Sequence, residues 1–317
     1  MELYIKGIGI LSAAGSNEEE DFPQQKEAAS PFLCKEPDYT SYIPPMQLRR
    51  MSKAVRMGIG ASRMALKQAA IDKPDAISIG TAMGCLADTE TFLSKMTEQK
   101  EQMLTPTAFI QSTHNTVGGQ IALVNGCNGP NLTYVHRGHS FEHALLHAYL
   151  YLRHHPHDSV LAGGIDELTP TSEAILKRFG ITGNGEGACF FVVNTKDKEG
   201  ACIKDIHTFT TQDSAVVCKQ VTDFLLRNEL DATTIDHIIW GIKEDADDSY
   251  SALKKELFPA VSLTPFKQFC GDYGTASAFA LGMAAEQMKS RGWKNVLLVT
   301  HFLDSWSVWY VVHIHGT

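Results

Sequence analysis

Short runs in which nearly every position is apolar alternate along this chain with longer segments whose apolar residues recur every three or four positions. The first kind predicts strands at Leu3–Leu11, Ala76–Ala82, Ser159–Ile165, Ala188–Asn194, Ala201–His207, His237–Ile242, Asn295–Phe302 and Ser307–His313. Strands that are continuously apolar are covered on both faces. The second kind predicts helices at Gln47–Ala70, Asp88–Glu98, His139–His154, Ala215–Asn228, Ser249–Phe258 and Thr275–Arg291. Two stretches read as irregular: the acidic, proline-rich Ser16–Pro45 and the turn-rich Thr169–Gly187. Alternation of this kind predicts an α/β protein with buried sheets sandwiched by helices.

A faint repeat sharpens that picture. Sliding the chain by 136 residues puts Gly138 on Gly274, Ala144 on Ala280, Leu145 on Leu281, Ala148 on Ala284 and Val160-Leu161 on Val296-Leu297. In both copies a glycine precedes a helix, a polar turn (His154–Asp158, Ser290–Lys294) and a buried strand, which predicts duplicated halves.

Composition narrows the class. A chain of 317 residues holds two domain-sized units or one large α/β unit, and 44% apolar with 20% charged residues excludes a disordered or fibrous protein. The net charge of −8 argues against a nucleic-acid partner. Seven cysteines, an odd number without a CxxC pair, fit reduced thiols in a chain able to build its own core. The first ten residues lack a basic leader and carry Lys6 inside their apolar run, so they do not read as a signal peptide. No apolar stretch approaches the roughly 18 residues of a membrane span. These features predict a soluble cytoplasmic protein without a membrane span and without a cofactor.

The segment Gly118-Gly119-Gln120-Ile121-Ala122-Leu123, followed by Gly129-Pro130-Asn131-Leu132-Thr133 and Val160-Leu161-Ala162-Gly163-Gly164, resembles the β-ketoacyl-acyl-carrier-protein synthase family. Gly185-Glu186-Gly187-Ala188 resembles the motif that opens the second half of that family, and Ile5-Lys6-Gly7-Ile8-Gly9, Ser12 and Arg49-Arg50-Met51-Ser52 also have counterparts there. The resemblance implies the thiolase fold, an α-β-α-β-α stack of five layers. Its halves would be residues 1–184, with the nucleophile turn, and 185–317. It also implies where chemistry belongs: a cysteine at a helix N-terminus takes an acyl group as a thioester, and two histidines from the second half assist decarboxylation of a malonyl unit.

Each of those positions is altered here. Counting on from Thr133 puts Gly138 at the nucleophile position, Trp240 at the first histidine and Asp272 at the second; Lys267 alone is kept. The glycine-rich turn near the C-terminus is replaced by Phe302-Leu303-Asp304-Ser305-Trp306-Ser307, and the chain is shortened between Leu168 and Gly185. Three lost groups imply that no catalytic residue is left. Such degenerate subunits exist in the family as chain-length factors. This chain resembles most the short ketosynthase-like subunits of aryl polyene pathways. The implied partners are an acyl carrier protein and either a catalytic ketosynthase or a second copy of this chain.

Two other readings compete. An active synthase with a rearranged site would need another thiol, for which Cys127, Cys85 and Cys270 are candidates, although no expected helix N-terminus carries a cysteine beside a base. A zinc hydrolase would use His139, Glu142 and His143, an HxxEH pattern whose histidines share a helix face. Beside Gly138, the residues His136, Arg137, His139 and Cys270 are candidates for contact with an acyl or pantetheine group. His154, His155 and His157 suit a helix C-terminus, and Glu244–Asp248 reads as a solvated loop. Trp240, Trp306 and Trp309 are candidates either to fill the substrate space of a catalytic relative or to pack the core.

Overall fold

The apolar runs pair edge to edge in an order that repeats. The structure, a computed structural model, describes all residues except 21, 24–29, 103, 105, 243–252 and 315–317. The acidic run Glu244–Asp248 and the start of the helix expected at Ser249–Phe258 lie outside the described residues; Leu253–Leu257 form a π-helical turn. The strands are β1 (Leu3–Ser12), β2 (Gly15–Ser16), β3 (Ala76–Gly80), β4 (Asn131–Tyr134), β5 (Val160–Asp166), β6 (Gly187–Asn194), β7 (Gly200–Thr210), β8 (His237–Trp240), β9 (Leu263–Pro265), β10 (Asn295–Phe302) and β11 (Ser305–Ile314). The helices are α1 (Pro45–Leu48), α2 (Lys53–Gln68), α3 (Leu86–Glu98), α4 (Pro106–Gln111), α5 (Thr116–Asn125), α6 (Ser140–His154), α7 (Pro170–Arg178), α8 (Ser214–Arg227), α9 (Lys267–Cys270) and α10 (Ala276–Arg291).

The order β4-β3-β5-β6-β1 is matched by β9-β8-β10-β11-β7. Within each array the first two pairings are parallel and the last two antiparallel. The arrays join through β1 and β7, where Leu3 faces Ile203 and Tyr4 faces Cys202. Helices α6 and α10 start at Ser140 and Ala276, the same 136-residue shift that relates the sequence repeat.

Side chains alternate between faces along each strand, so buried strands must be covered twice. Ile77, Leu161, Phe190 and Val192 pack outward with α2 and α5 in one apolar cluster. Val160, Ala162, Phe191 and Val193 point the other way, onto α6 and α10, which also receive Ile203, Val296, Leu298 and Trp309 from the second array. Ile238, Trp240, Leu297 and Val308 face outward against α8. Three apolar clusters around two strand arrays make the five-layer α-β-α-β-α stack of the thiolase fold. Each fully buried Leu or Phe stabilises it by ~2 kcal/mol. On β1 a Cβ at Gly7 or Gly9 would lie about 2 Å from the carbonyl oxygen of Ala65 or Ala61, so both glycines let α2 sit directly on the strand.

Some local expectations need correction. The segment Gln47–Ala70 is two helices rather than one: Pro45 starts the short α1, and Ser52 in extended backbone precedes α2. The stretch Thr169–Gly187 contains α7, set by Pro170 in its first turn and by a capping box in which Thr169 and Ser172 exchange hydrogen bonds of 3.0 Å. Helix α5 and the strands β4 and β9 escape the hydrophobic pattern. The first holds Gly118-Gly119, and the strands are short. Among the described residues no helix is long and apolar enough to cross a membrane.

Candidate functional site

Strand β4 leads into α6 through a tight turn over His136–His139. Arg137 takes φ +48°, a left-handed conformation strained for a side-chain-bearing residue, and Gly138 follows it. Ser140 closes the turn: its Oγ accepts from the His136 N–H and donates to the Arg137 carbonyl, both at 2.8 Å. The start of α6 presses on β3, so that a Cβ at Gly80 would meet Phe141 N at 2.4 Å.

The tip of the β10–β11 hairpin covers this turn. A Cβ at Gly138 would lie 2.8 Å from Ser305 Cβ and 3.1 Å from Phe302 Cβ. His139 Nε2 donates to the Trp306 carbonyl at 3.1 Å, which ties the same hairpin to the turn. Gly138 is buried and has no free volume beside its α-carbon, so the position holds neither a nucleophile nor room for one.

Behind the turn, Asp166 at the end of β5 acts as a staple. It is fully enclosed and accepts from Thr81 Oγ1 at 3.0 Å, Ala82 N at 2.7 Å, and Thr275 N and Oγ1 at 2.9 Å each. Burial raises its pKa, against the lowering effect of those hydrogen bonds. Asp166 therefore joins β3, β5 and the start of α10. Its position directly after Ala162-Gly163-Gly164-Ile165 was a usable signal, yet a lone carboxylate at a strand end does not reveal its donors.

The other motif residues are structural clamps. Glu186 is fully buried; it is paired with Lys53 and accepts from Cys34 N at 2.8 Å and Leu168 N at 3.0 Å. On either side, a Cβ at Gly185 would strike the Cys270 carbonyl oxygen at 2.0 Å and one at Gly187 the Tyr273 hydroxyl at 2.7 Å. Lys267 forms a 2.7 Å ion pair with Asp272 and donates to the His301 carbonyl. The lysine and the aspartate, which the resemblance sets at a kept lysine and a lost histidine, thus engage each other. Trp240 and Trp306 lie in the outer cluster against α8, and Trp309 stacks on Phe141 in the middle layer with ring centroids 5.7 Å apart. All three are core.

Of the remaining candidates, His136, His139 and His143 form a trio of rings with centroids 4.6–6.2 Å apart, while Cys270 lies apart from them. His136 and Arg137 are exposed, His139 is buried against Trp306, and Cys270 is enclosed in the middle layer. Within the HxxEH pattern, His139 bonds the hairpin, Glu142 accepts from Ser307 Oγ at 2.8 Å, and His143 faces His136, with Nδ1 atoms 3.0 Å apart. Among the described residues no three His, Cys, Asp or Glu side chains gather as a metal site. Cys85 sits just before α3 and makes no side-chain capping hydrogen bond there. Burial, with Glu167 and Asp88 beside it, pushes its thiol up to about 12. Burial also raises Cys270 well above the usual thiol range.

A stack of this topology, with two helix N-termini meeting over a strand end, defines a thiolase-like α/β protein. A family model described as beta-ketoacyl synthase, N-terminal domain, matches residues 17–177, and the chain belongs to that family. A curated relative, 3-oxoacyl-[acyl-carrier-protein] synthase 2 of Vibrio harveyi, is 23% identical over 189 residues, covering 52% of this chain and 45% of the relative. The match therefore spans less than half the length of that relative. Among solved structures, a beta-ketoacyl synthase from Burkholderia phymatum superposes with TM-score 0.80 at 15% identity, covering 99% of this chain and all of the other. The ishigamide ketosynthase/chain length factor gives 0.81 at 19%, with the same coverage. A ketosynthase in complex with its chain length factor from Xenorhabdus doucetiae gives 0.77 at 13%, covering 98% of each chain. At these identities the structural likeness establishes the fold.

Proposed function

We propose that this chain is a non-catalytic, chain-length-factor-like subunit. It pairs with an active ketosynthase and shapes acyl extension on an acyl carrier protein in an aryl polyene-type pathway. The observation that carries this reading is the closed Gly138 turn, where a nucleophile is missing and the hairpin residues Phe302 and Ser305 occupy the space it would need. Trp240 in the outer core and Asp272 paired with Lys267 supply neither imidazole of the family chemistry. The solved relatives of the same fold include a ketosynthase bound to its chain length factor, which supports the pairing. Residues 1–184 and 185–317 are proposed as its two halves by motif. The pairing of β6 with β1 and β5 favours a spatial junction in the loop after Asn194.

A surface suited to that partner surrounds β4. This strand has β3 as its neighbour on one side and is the end of its array among the described residues. Leu132 on the strand, Val135 after it, Leu123 on α5 and Leu146 and Leu150 on α6 are exposed, with Leu123 75% accessible. An open strand edge flanked by apolar side chains suits pairing with a like edge. Co-expression with an aryl polyene-type ketosynthase should give a stoichiometric complex by size exclusion with light scattering, and Leu123→Glu with Leu146→Glu should abolish it. A chain that stays monomeric with and without the ketosynthase would refute the assignment.

A further inference from the structure

Three imidazoles gather where β4 turns into α6, each set by a different contact. His136 stands just beyond the strand, its backbone N–H held by Ser140 Oγ at 2.8 Å. His139 donates to the Trp306 carbonyl at 3.1 Å and meets the His136 ring edge-on, with centroids 5.8 Å apart and planes at 80°. His143 lies one turn further along α6, its ring tilted 34° from that of His136 with centroids 4.6 Å apart. The Nδ1 atoms of His136 and His143 approach to 3.0 Å, and this contact is open to solvent. The pair that meets is therefore not the His139–His143 pair of the HxxEH pattern.

A nitrogen–nitrogen distance of 3.0 Å suits a shared metal ion. Bonds from imidazole nitrogen to such an ion are about 2.0–2.1 Å long, so the two nitrogens would subtend roughly 90–100° at it. That is the cis angle of a square-planar or octahedral ion; tetrahedral coordination would spread the nitrogens to about 3.4 Å. Imidazole donors at this angle favour Cu(II) or Ni(II). The frame is fixed in advance: Ser140 sets the His136 backbone, His139 braces its ring, and α6 carries His143. Arg137, next to His136, is exposed, where solvent and salt screen its repulsion of a cation. We propose that His136 and His143 chelate one divalent ion of tetragonal preference, Cu(II) or Ni(II), through their Nδ1 atoms, with water completing the coordination. Each neutral ring then carries its proton on Nε2, so binding replaces the Nδ1–Nδ1 hydrogen bond without releasing a proton. The ion clasps the turn after β4 to α6.

The probe is Cu(II), added at one equivalent to the full chain in a background carrying Cys218→Ser, His154→Gln, His155→Gln and His157→Gln. Those changes remove an incompletely buried thiol and the exposed histidines around the end of α6, which would otherwise compete for copper. Electron paramagnetic resonance should give an axial Cu(II) spectrum, with spin-echo modulation from two equatorial imidazoles. Titration calorimetry should show one site, bound on the order of tenfold more tightly than in His136→Gln or His143→Gln, because each variant leaves a single imidazole ligand. His136 is exposed, so its variant leaves the core intact and decides the matter should His143→Gln fail to fold. One imidazole or none at the copper, or an affinity unchanged by His136→Gln, would overturn the proposal and leave the pair as a hydrogen bond.

Discussion

At Gly138 the obstacle to acylation is steric as well as chemical. Adding a side chain forces Ser305 or Phe302 to move, which overpacks the contact between the turn and the hairpin. Gly138→Cys alone should therefore remain inactive in condensation with malonyl-acyl-carrier protein and lose about 1–3 kcal/mol of stability in urea. Turnover above the background of the unmodified chain, or unchanged stability, would contradict this account. The glycine itself was legible by counting from Thr133, but its lid was not: Phe302 and Ser305 lie far along the chain and reach the turn only through strand order. Glu142 shows the same limit. Its place in a five-residue motif suggested a metal ligand, while its donor Ser307 comes from another strand altogether.

Among the elements, the long buried strands and helices were readable because their pattern follows from being covered twice or once. Asn295–Phe302 carries the same bounds in sequence and structure. Elements whose stability comes from neighbours were not. Helix α5 depends on close approach of Gly118 to Asn131, and α7 on a two-residue cap. Asp166 belongs at this scale, since it fastens three elements rather than shaping its own strand. Asp166→Asn keeps one acceptor oxygen and turns an amide NH2 toward either the three donors of Thr81, Ala82 and Met83 or the two of Thr275, and should cost about 2–4 kcal/mol, read as a shift in denaturant midpoint. A variant within about 0.5 kcal/mol of the parent would show that the staple contributes little.

Across the whole molecule, the repeat read at a shift of 136 residues corresponds to helices that begin that far apart and to strand arrays of one order. The layering was thus accessible from sequence, because duplicated buried strands repeat their composition. The site was accessible only as a set of losses expected from the resemblance. At the positions where the resemblance expects the chemistry lies interlocking structure: a hairpin on a turn, an ion pair between Lys267 and Asp272, and tryptophans in the core. The central claim is that this fold no longer takes up an acyl group. The most direct test is intact-protein mass after incubation with a panel of acyl-acyl-carrier-protein thioesters, beside a catalytic synthase that acylates. The account predicts no adduct from any donor; a stable acyl group mapped to one residue of this chain would contradict it.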